Sequence, residues 1–425
     1  MSTALSDEVL VLIAEDSIFG KRDHLMLCFT SKRFRRIVYP LLYRQIWLRN
    51  KGHYFLLRSI VNNPPLGHLI KSLNISWDAN YDDDTERVDD PEVEQVLTRF
   101  AEVAATRLPE SVVEGISAVS ESAEVLLLLT LLPQLGRLEL SPSGDTHFLE
   151  TDLFTIIKCG LLSSSLSTVS YAHWDTEGGF DCRNLHAFFF QPSITRIEAR
   201  ACITYDDNDE PPGVGSVTPY LRDLRDFYGQ SSVESLCLYQ CALSGDSIEV
   251  FLRLPKALKC LKYELASATV GWVDSPFSNV GKALSYVSTS LETLIISLTE
   301  YDGELDGQET IGSLKGFARL RLLCVPASLL LGDDTTRSSE ISGLLPNSLE
   351  GLELEAFDDL WEWTDVVECY RGILTSMRAD RSQFPALKAM SIGGIPKEGS
   401  GWESLHGLAA KVGVSLVEKS IHFSC

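Results

Sequence analysis

The sequence lacks the features of secreted and membrane proteins. Its ten cysteines form no C-x-x-C pair and show no spacing typical of a disulfide framework. The N-terminus has no basic stretch followed by an apolar segment, so no signal peptide is predicted. The longest apolar run, residues 125–132, is far shorter than the roughly 20 residues that a membrane helix needs. We therefore expect a soluble protein of the cytoplasm or nucleus, with reduced thiols and no membrane partner.

Common catalytic and cofactor-binding motifs are also missing. The sequence contains no G-x-G-x-x-G, G-x-x-x-x-G-K-[ST], G-x-S-x-G or H-E-x-x-H pattern. His173, Cys182 and His186 lie close together in the chain, but their spacing is a poor match to a zinc ligand set. Cys237 and Cys241 are expected to fill the core as small apolar residues. We predict that the protein is not an enzyme and has no catalytic residue, metal or cofactor.

Charge is unevenly distributed along the chain. Residues 1–71 contain 11 Lys/Arg and 5 Asp/Glu, a balance of +6, whereas the whole chain has a net charge of −22, which leaves −28 for residues 72–425. This reversal predicts a boundary near residue 70. The basic segment at residues 32–36 would suit a nucleic acid or a nuclear import signal. Because the rest of the chain would repel phosphate, we expect no nucleic-acid partner.

One short pattern, apolar-x-x-apolar-x-apolar, occurs in ten copies. The first two copies are far apart in the chain, and the later copies recur at shorter and irregular intervals. Their first residues are Ile70, Leu135, Leu166, Ile194, Val233, Leu258, Leu291, Leu320, Leu349 and Leu387. A recurrence of this kind predicts a repeat architecture in which each repeat contributes one strand and buries its apolar side chains in a shared core.

The segments between the copies carry apolar residues at three- and four-residue steps, which predicts helices. These segments are residues 152–161, 219–227, 247–254, 279–288, 364–377 and 402–411. We therefore predict an α/β fold in which residues 70–425 form an irregular leucine-rich-repeat-like solenoid of parallel strands alternating with helices. The long interval between the first two copies has room for one further turn of the solenoid at residues 112–132.

The first 45 residues predict three short helices. Ser6 or Asp7 can cap the first helix, and the apolar residues that follow share one helical face. A second apolar stretch covers residues 25–29, and a third helix is expected to begin at Ser31 and to end before Pro40. Three such helices bury little surface, so their remaining apolar face is expected to bind a partner.

These residues resemble an F-box. The resemblance is carried by Leu5-x-Asp-Glu-Val-Leu-x-x-Ile13, by Asp23-x-Leu-x-Leu-x-Phe-Thr-Ser-Lys-Arg-Phe-Arg35 and by Pro40-Leu-Leu-Tyr-Arg44. Ser6 stands where the family usually has proline, and Ser31 stands where it often has cysteine. The resemblance implies an F-box-like helical domain in residues 1–48, with residues 49–69 as a linker or cap before the solenoid at 70–425.

The resemblance also implies a function, that of the substrate-recognition subunit of an SCF-type cullin-RING ubiquitin ligase. The F-box would bind the Skp-family adaptor, and through it the cullin, while the repeats would bind a target protein. The adaptor contacts of the family fall on Leu5, Val9, Leu10, Ile13, Leu25, Leu27, Phe29, Lys32 and Phe34. In the alternative interpretation the helices only cap the solenoid, and the protein is an interaction scaffold without a ligase role.

Acidic residues follow five of the ten copies. Equivalent loops of a solenoid emerge along one edge, so these residues are expected to line one rim. The rim either attracts a basic target or keeps a leucine-rich protein soluble. The candidate target-binding residues are Asp206, Asp207, Asp209, Glu210, Glu300 and Asp302.

Overall fold

The protein is an α/β protein that divides into two compact units, Met1–Trp174 and Asp175–Cys425. The predicted α/β class is therefore confirmed. The computed structural model describes residues 5–16, 18–50, 52–76, 91–118, 120–141, 149–173, 178–204, 224–265, 277–298, 310–332, 334–356, 361, 363–393 and 401–417.

The first unit begins with three helices. They are α1 (Asp7–Ala14), α2 (Lys21–Thr30) and α3 (Lys32–Arg44). The Ser6 hydroxyl caps α1 by accepting the Val9 N–H at 3.5 Å, and the Ser31 hydroxyl caps α3 by accepting the Phe34 N–H at 3.1 Å. Ser31 is also the last flanking residue of α2, so a single residue separates these two helices.

Helix α3 continues through Pro40, so the prediction that this proline ends the helix is wrong. Proline lacks the N–H that would bond to the preceding turn. Leu41 and Leu42, which follow it, pack against the same buried cluster as Ile37 and Val38. We attribute the continuation to this burial, which offsets the missing hydrogen bond.

The remainder of the first unit places four parallel strands side by side in the order β1-β2-β3-β4. Its elements are β1 (Gln45–Arg49), α4 (Gly52–Asn62), a 3₁₀ helix (Pro64–Leu69), β2 (Ser72–Ser76), α5 (Pro91–Ala105), α6 (Glu110–Ser117), α7 (Glu121–Thr130), β3 (Arg137–Ser141), α8 (Leu149–Lys158) and β4 (Thr168–Ala172). Because β2 pairs directly with β3, no further strand lies between them. Residues 112–132 are largely helical, so the expectation of an extra turn of the solenoid there is wrong.

The second unit holds a two-stranded parallel sheet, β5 with β7, and a larger parallel sheet in the order β6-β8-β9-β10-β11-β12-β13-β14. Its strands are β5 (Phe180–Asp181), β6 (Arg196–Arg200), β7 (Cys202–Ile203), β8 (Ser235–Cys241), β9 (Cys260–Leu265), β10 (Thr293–Ser297), β11 (Leu322–Pro326), β12 (Gly351–Glu355), β13 (Ala389–Gly393) and β14 (Ser415–Val417). Its helices are α9 (Arg183–His186), α10 (Gly245–Arg253), α11 (Phe277–Leu284), α12 (Ser328–Leu331), α13 (Trp363–Ala379) and α14 (Trp402–Val412). Five 3₁₀ helices lie among the described residues of this unit, at Ala187–Phe190, Leu224–Phe227, Ser285–Val287, Thr335–Gly343 and Arg381–Gln383.

Each of the ten sequence motifs coincides with one strand, so the prediction of one parallel strand per motif is confirmed. The middle apolar residues of consecutive motifs stand opposite one another in the sheet of the second unit, and all are buried. They are Leu236, Leu261, Leu294, Leu323, Leu352 and Met390. Successive side chains of a strand point to opposite faces, so the residues between the motif positions form the other face. We call this the open face of the sheet as a name for its side, although some of its residues, among them Cys324 and Glu353, are buried.

The cysteines follow the sequence prediction with one exception. Cys237 and Cys241 are fully buried, as expected of core residues. Eight of the cysteines are free, but Cys260 is disulfide-bonded, so the expectation of reduced thiols is wrong for this residue. The partner of Cys260 is not among the described residues.

Candidate functional site

Large apolar side chains are exposed in a small part of the first unit. Eleven such side chains are exposed among the residues that the structure describes, and eight of them lie in residues 5–29. We call these eight the N-terminal apolar surface: Leu5, Val9, Leu12, Ile13, Ile18, Leu25, Met26 and Phe29. Phe29 is 78% exposed, which is unusual for so large an apolar group.

Helical spacing explains how the surface arises. On α1, Val9, Leu12 and Ile13 share one face because they are three and four residues apart. On α2, Leu25 and Phe29 are four residues apart in the same way. The opposite faces of these helices pack with α3 around a small core in which four residues are buried, namely Ala14, Cys28, Ile37 and Val38. Apolar residues therefore occupy both faces of α1, and only one face is covered by the chain itself.

The nine residues predicted to contact an adaptor divide into two groups. Six are exposed: Leu5, Val9, Ile13, Leu25, Phe29 and Lys32. The other three, Leu10, Leu27 and Phe34, pack against the small core and stabilise the helices from within. Leu12, Ile18 and Met26 were not predicted from the sequence, although the spacing of three residues between Val9 and Leu12 indicates that they share a helical face.

Ion pairs connect α3 to α1. The Asp7 carboxylate accepts hydrogen bonds from Arg33 at 2.8 Å and from Arg36 at 2.5 Å, and Arg44 pairs with Glu15. The hydrogen bond from Arg33 is the main reason that the pKa of Asp7 lies below its usual value. Two arginines of the basic segment at residues 32–36 are thus paired with a carboxylate of their own domain. This pairing reduces the positive charge that the segment can offer to a nucleic acid.

The open face of the second unit carries charged and aromatic side chains on β6, β8 and β9. Arg196 on β6 pairs with Glu198 at 2.6 Å. Tyr239 on β8 has two cations near its ring, since the Arg200 guanidinium lies 5.6 Å and the Lys262 ammonium 4.5 Å from the ring centroid. Burial is the main cause that raises the pKa of Tyr239 to about 12. Both signs of charge are therefore present on this part of the face.

Three potential metal ligands meet on the same face at β11 and β12. The ligand atoms of Cys324, Glu353 and Glu355 all lie within 4.8 Å of one another, and they form the one group of this kind among the described residues. Burial, followed by repulsion from Glu353, raises the pKa of Glu355 to about 7. This group was not predicted from the sequence, because its residues meet only through the pairing of β11 with β12 in the folded sheet.

The three residues weighed as a zinc set in the sequence do not come together as a ligand group among the described residues. Cys182 is buried, and its thiol lies 3.6 Å from the Ser247 hydroxyl. His186 packs edge-on against the ring of Phe251, with ring centroids 5.3 Å apart. Both side chains belong to the core of the second unit.

The candidate acidic rim lies outside the residues that the structure describes. This holds for all six of its residues, Asp206, Asp207, Asp209, Glu210, Glu300 and Asp302. The rim and its preference for a basic target therefore stay predictions.

Comparisons with known proteins add no assignment. No model of a protein family matches the chain, and no curated protein is similar to it. In the described part of the chain, none of the helices combines the length and the apolar character that crossing a membrane requires.

Proposed function

We propose that this chain is the substrate-recognition subunit of an SCF-type cullin-RING ubiquitin ligase. In this proposal α1–α3 act as an F-box that binds the Skp-family adaptor, and the strand-bearing repeats bind the protein to be ubiquitinated. The chain itself performs no chemistry. The observation that carries the proposal is the concentration of exposed apolar side chains in residues 5–29.

Such a surface is best explained by a protein partner. Soluble monomers rarely expose contiguous apolar patches of large size, and those that do generally use them for binding. Complete burial of one Leu, Ile or Phe side chain is worth about 1.5 to 3 kcal/mol, so a partner that covers several residues of the surface gains substantial affinity. The same contact would stabilise α1–α3, whose own buried cluster is small.

The repeats supply the second half of the proposal. In a leucine-rich-repeat solenoid, neighbouring repeats stack and present side-by-side strands to a partner. The parallel order of β6 and β8–β14 suits this architecture. The open face carries Arg200, Tyr239 and Lys262 in neighbouring positions, and tyrosine and arginine are frequent hot-spot residues. We assign target binding to this face together with the predicted acidic rim.

Binding of the purified chain to a purified Skp-family adaptor tests the proposal. The variant Ile13→Asp with Phe29→Asp places two charges on the N-terminal apolar surface, and we expect a loss of affinity of at least about 100-fold. The matched control is Phe55→Asp with Tyr286→Asp, which changes two exposed aromatic residues elsewhere and should bind normally. Equal adaptor binding by both double variants would contradict the F-box assignment.

A scaffold with an F-box-like cap is the second candidate, and capture of the complex separates it from the first. A ligase subunit should co-purify with both the adaptor and the cullin, whereas a scaffold should capture neither. Deletion of residues 1–45 provides a second test. If the chain is a receptor, its target proteins should accumulate in cells that carry only the truncated form.

A further inference from the structure

Cys324, Glu353 and Glu355 are brought together by strand pairing. Cys324 on β11 stands opposite Glu353 on β12 in the parallel register. Glu355 lies two residues beyond Glu353 on the same strand, so both carboxylates are on the open face. Cys324 and Glu353 are almost fully buried, at 4% and 1% exposure. One thiol and two carboxylates from adjacent strands therefore share a protected position.

The distances among these groups fit a single metal ion. The Cys324 Sγ lies 3.7 Å from Glu355 Oε1, and the ligand atoms of all three residues are within 4.8 Å of one another. In a tetrahedral zinc site, with a Zn–S bond of about 2.3 Å and a Zn–O bond of about 2.0 Å, sulfur and oxygen ligands are about 3.5 Å apart. The distance between Cys324 Sγ and Glu355 Oε1 is within a few tenths of an ångström of that value, so this pair of ligands needs little rearrangement, and the Glu353 carboxylate lies within reach of the same ion.

A second layer of buried groups orients the ligands. The Ser391 hydroxyl on β13 donates to Glu353 Oε2 at 2.7 Å, and Ser391 is completely buried. The Tyr370 hydroxyl on α13 accepts the Leu354 N–H at 2.7 Å and donates to the Ser391 carbonyl, so it fixes the backbone beside both residues. Outer-layer hydrogen bonds of this type hold metal-binding carboxylates in their productive orientation.

The electrostatics of the cluster favour an added positive charge. The carboxylates of Glu353 and Glu355 lie near each other, and Glu353 is almost fully buried, so their negative charges are poorly screened by solvent. Lys262 lies nearby, but its ammonium is 3.8 Å from Glu264 and also faces the Tyr239 ring. A divalent cation would relieve the repulsion between the carboxylates more effectively than a single proton.

We propose that Cys324, Glu353 and Glu355 bind one Zn²⁺ ion through one sulfur and two oxygen atoms. A mixed sulfur and oxygen donor set suits zinc better than magnesium or calcium, which prefer oxygen alone. On binding, the Cys324 S–H bond breaks, the sulfur forms a bond to Zn²⁺, and the proton is released to solvent. A fourth position on the ion is left for water. This site is independent of the ligase proposal, because its ligands come from β11 and β12 of the second unit and not from α1–α3.

Cobalt titration of the full chain tests the site, since Co²⁺ occupies zinc sites and its bond to a thiolate absorbs light. After removal of metal with a chelator, we expect one Co²⁺ per chain, a sulfur-to-cobalt absorption band, and loss of the band when Zn²⁺ is added. Cys324→Ser should abolish the band, and Glu355→Gln should weaken Co²⁺ binding at least about tenfold. Cys237→Ser is the matched control, because Cys237 is another buried thiol on a strand of this sheet, and it should leave the titration unchanged.

The measurement on the unmodified chain decides the proposal even if a variant fails to fold. Absence of the band in the unmodified chain, with circular dichroism showing that the chain is folded, would overturn the site. Persistence of the band in folded Cys324→Ser would overturn it equally, because the sulfur ligand would then be another cysteine.

Discussion

The N-terminal helices and the strands of the second unit contain the same apolar residue types, but many of these side chains are exposed in the helices and buried in the strands. In the strands, the middle motif residue from Leu236 to Met390 is completely buried. In residues 5–29, eight large apolar side chains are exposed, and only four residues form the buried cluster of α1–α3. A strand with period two sends its apolar residues to one face, which neighbouring repeats cover. A short helix that is apolar on two faces can cover only one of them with its own chain.

Apolar content does not by itself distinguish a buried core from an exposed apolar surface. What distinguishes them is the number of neighbouring elements available to cover each face. Each inner strand of the larger sheet of the second unit has a strand on either side, whereas α1–α3 are three helices with one small cluster between them. Substitutions in the two regions should therefore differ in whether they reduce stability or binding.

The largest effect is expected from Leu294→Asp in β10. Leu294 is completely buried between strands on both sides, and an unpaired carboxylate there should lower the free energy of unfolding of the second unit by at least about 3 kcal/mol. Urea unfolding followed by circular dichroism measures the loss. Thr289→Asp, at an exposed turn just before the strand, is the control. Similar midpoints for the two variants would show that the strand register is wrong.

A smaller loss is expected from Tyr370→Phe. The tyrosine hydroxyl accepts the Leu354 N–H and donates to the Ser391 carbonyl. Its removal leaves two buried backbone groups without this partner, at a cost of about 2 to 4 kcal/mol. Tyr286→Phe removes an exposed hydroxyl that reaches Glu249 at 3.2 Å and should change stability by less than about 0.5 kcal/mol. Equal unfolding midpoints would contradict the structural role of the Tyr370 hydroxyl.

Within the N-terminal helices, Val38→Ala and Phe29→Ser should have opposite consequences. Val38 is completely buried, so its truncation should destabilise α1–α3 by about 2 kcal/mol. Phe29 is mostly exposed, so Phe29→Ser should change stability by no more than about 0.5 kcal/mol but should weaken adaptor binding. Hydrogen exchange of the α1–α3 amides in the full chain measures the stability. Faster exchange in Phe29→Ser than in Val38→Ala would reverse our assignment of core and surface.

The smallest effect is expected from Asp7→Asn, which removes the ion pairs with Arg33 and Arg36. Because the pKa of Asp7 is lowered in the folded state, its contribution to stability is present above the ordinary value of 3.8 and is lost as the pH falls through the lowered value. Asp7→Asn should therefore be slightly less stable than the unmodified chain at neutral pH, and the difference should shrink in acid. Glu102→Gln, an exposed change on α5, is the control. A difference that stays constant with pH would contradict the ion-pair explanation.

Ten of the strands could be predicted from the sequence, because the last two apolar residues of each motif are two positions apart, which is the side-chain period of a strand. Four of the described strands, β1, β5, β7 and β14, were not predicted. For β1 the pattern is present, since Tyr43-x-x-Ile46-x-Leu48 matches it and places Ile46 opposite Leu73 in β2. The end of α3 was predicted wrongly because local rules for proline do not include the burial of Leu41 and Leu42. For α3 the missing information was a contact made outside the local segment.

The candidate sites were predicted less completely than the fold. The resemblance to an F-box indicated α1–α3 but did not separate Leu10, Leu27 and Phe34, which pack against the small core, from the exposed residues. The cluster of Cys324 with Glu353 and Glu355 could not be found, because α12 and a 3₁₀ helix lie between the two strands in the chain and the meeting of the residues depends on the sheet register. Side-chain partners across strands are set by pairing, which the linear sequence does not display.

The strand order of the larger sheet in the second unit has a consequence for how the chain can evolve. From β9 onward each strand pairs only with the strands before and after it along the chain. Gain or loss of residues between two strands therefore leaves every pair of hydrogen-bonded strands in place. Duplication of a whole repeat adds one strand without changing the order of the others. If insertions and deletions between strands are tolerated in this way, the distances between motifs should become unequal, as they are for the ten motifs of this chain. Selection can lengthen individual loops for new contacts while the sheet that supports them stays the same.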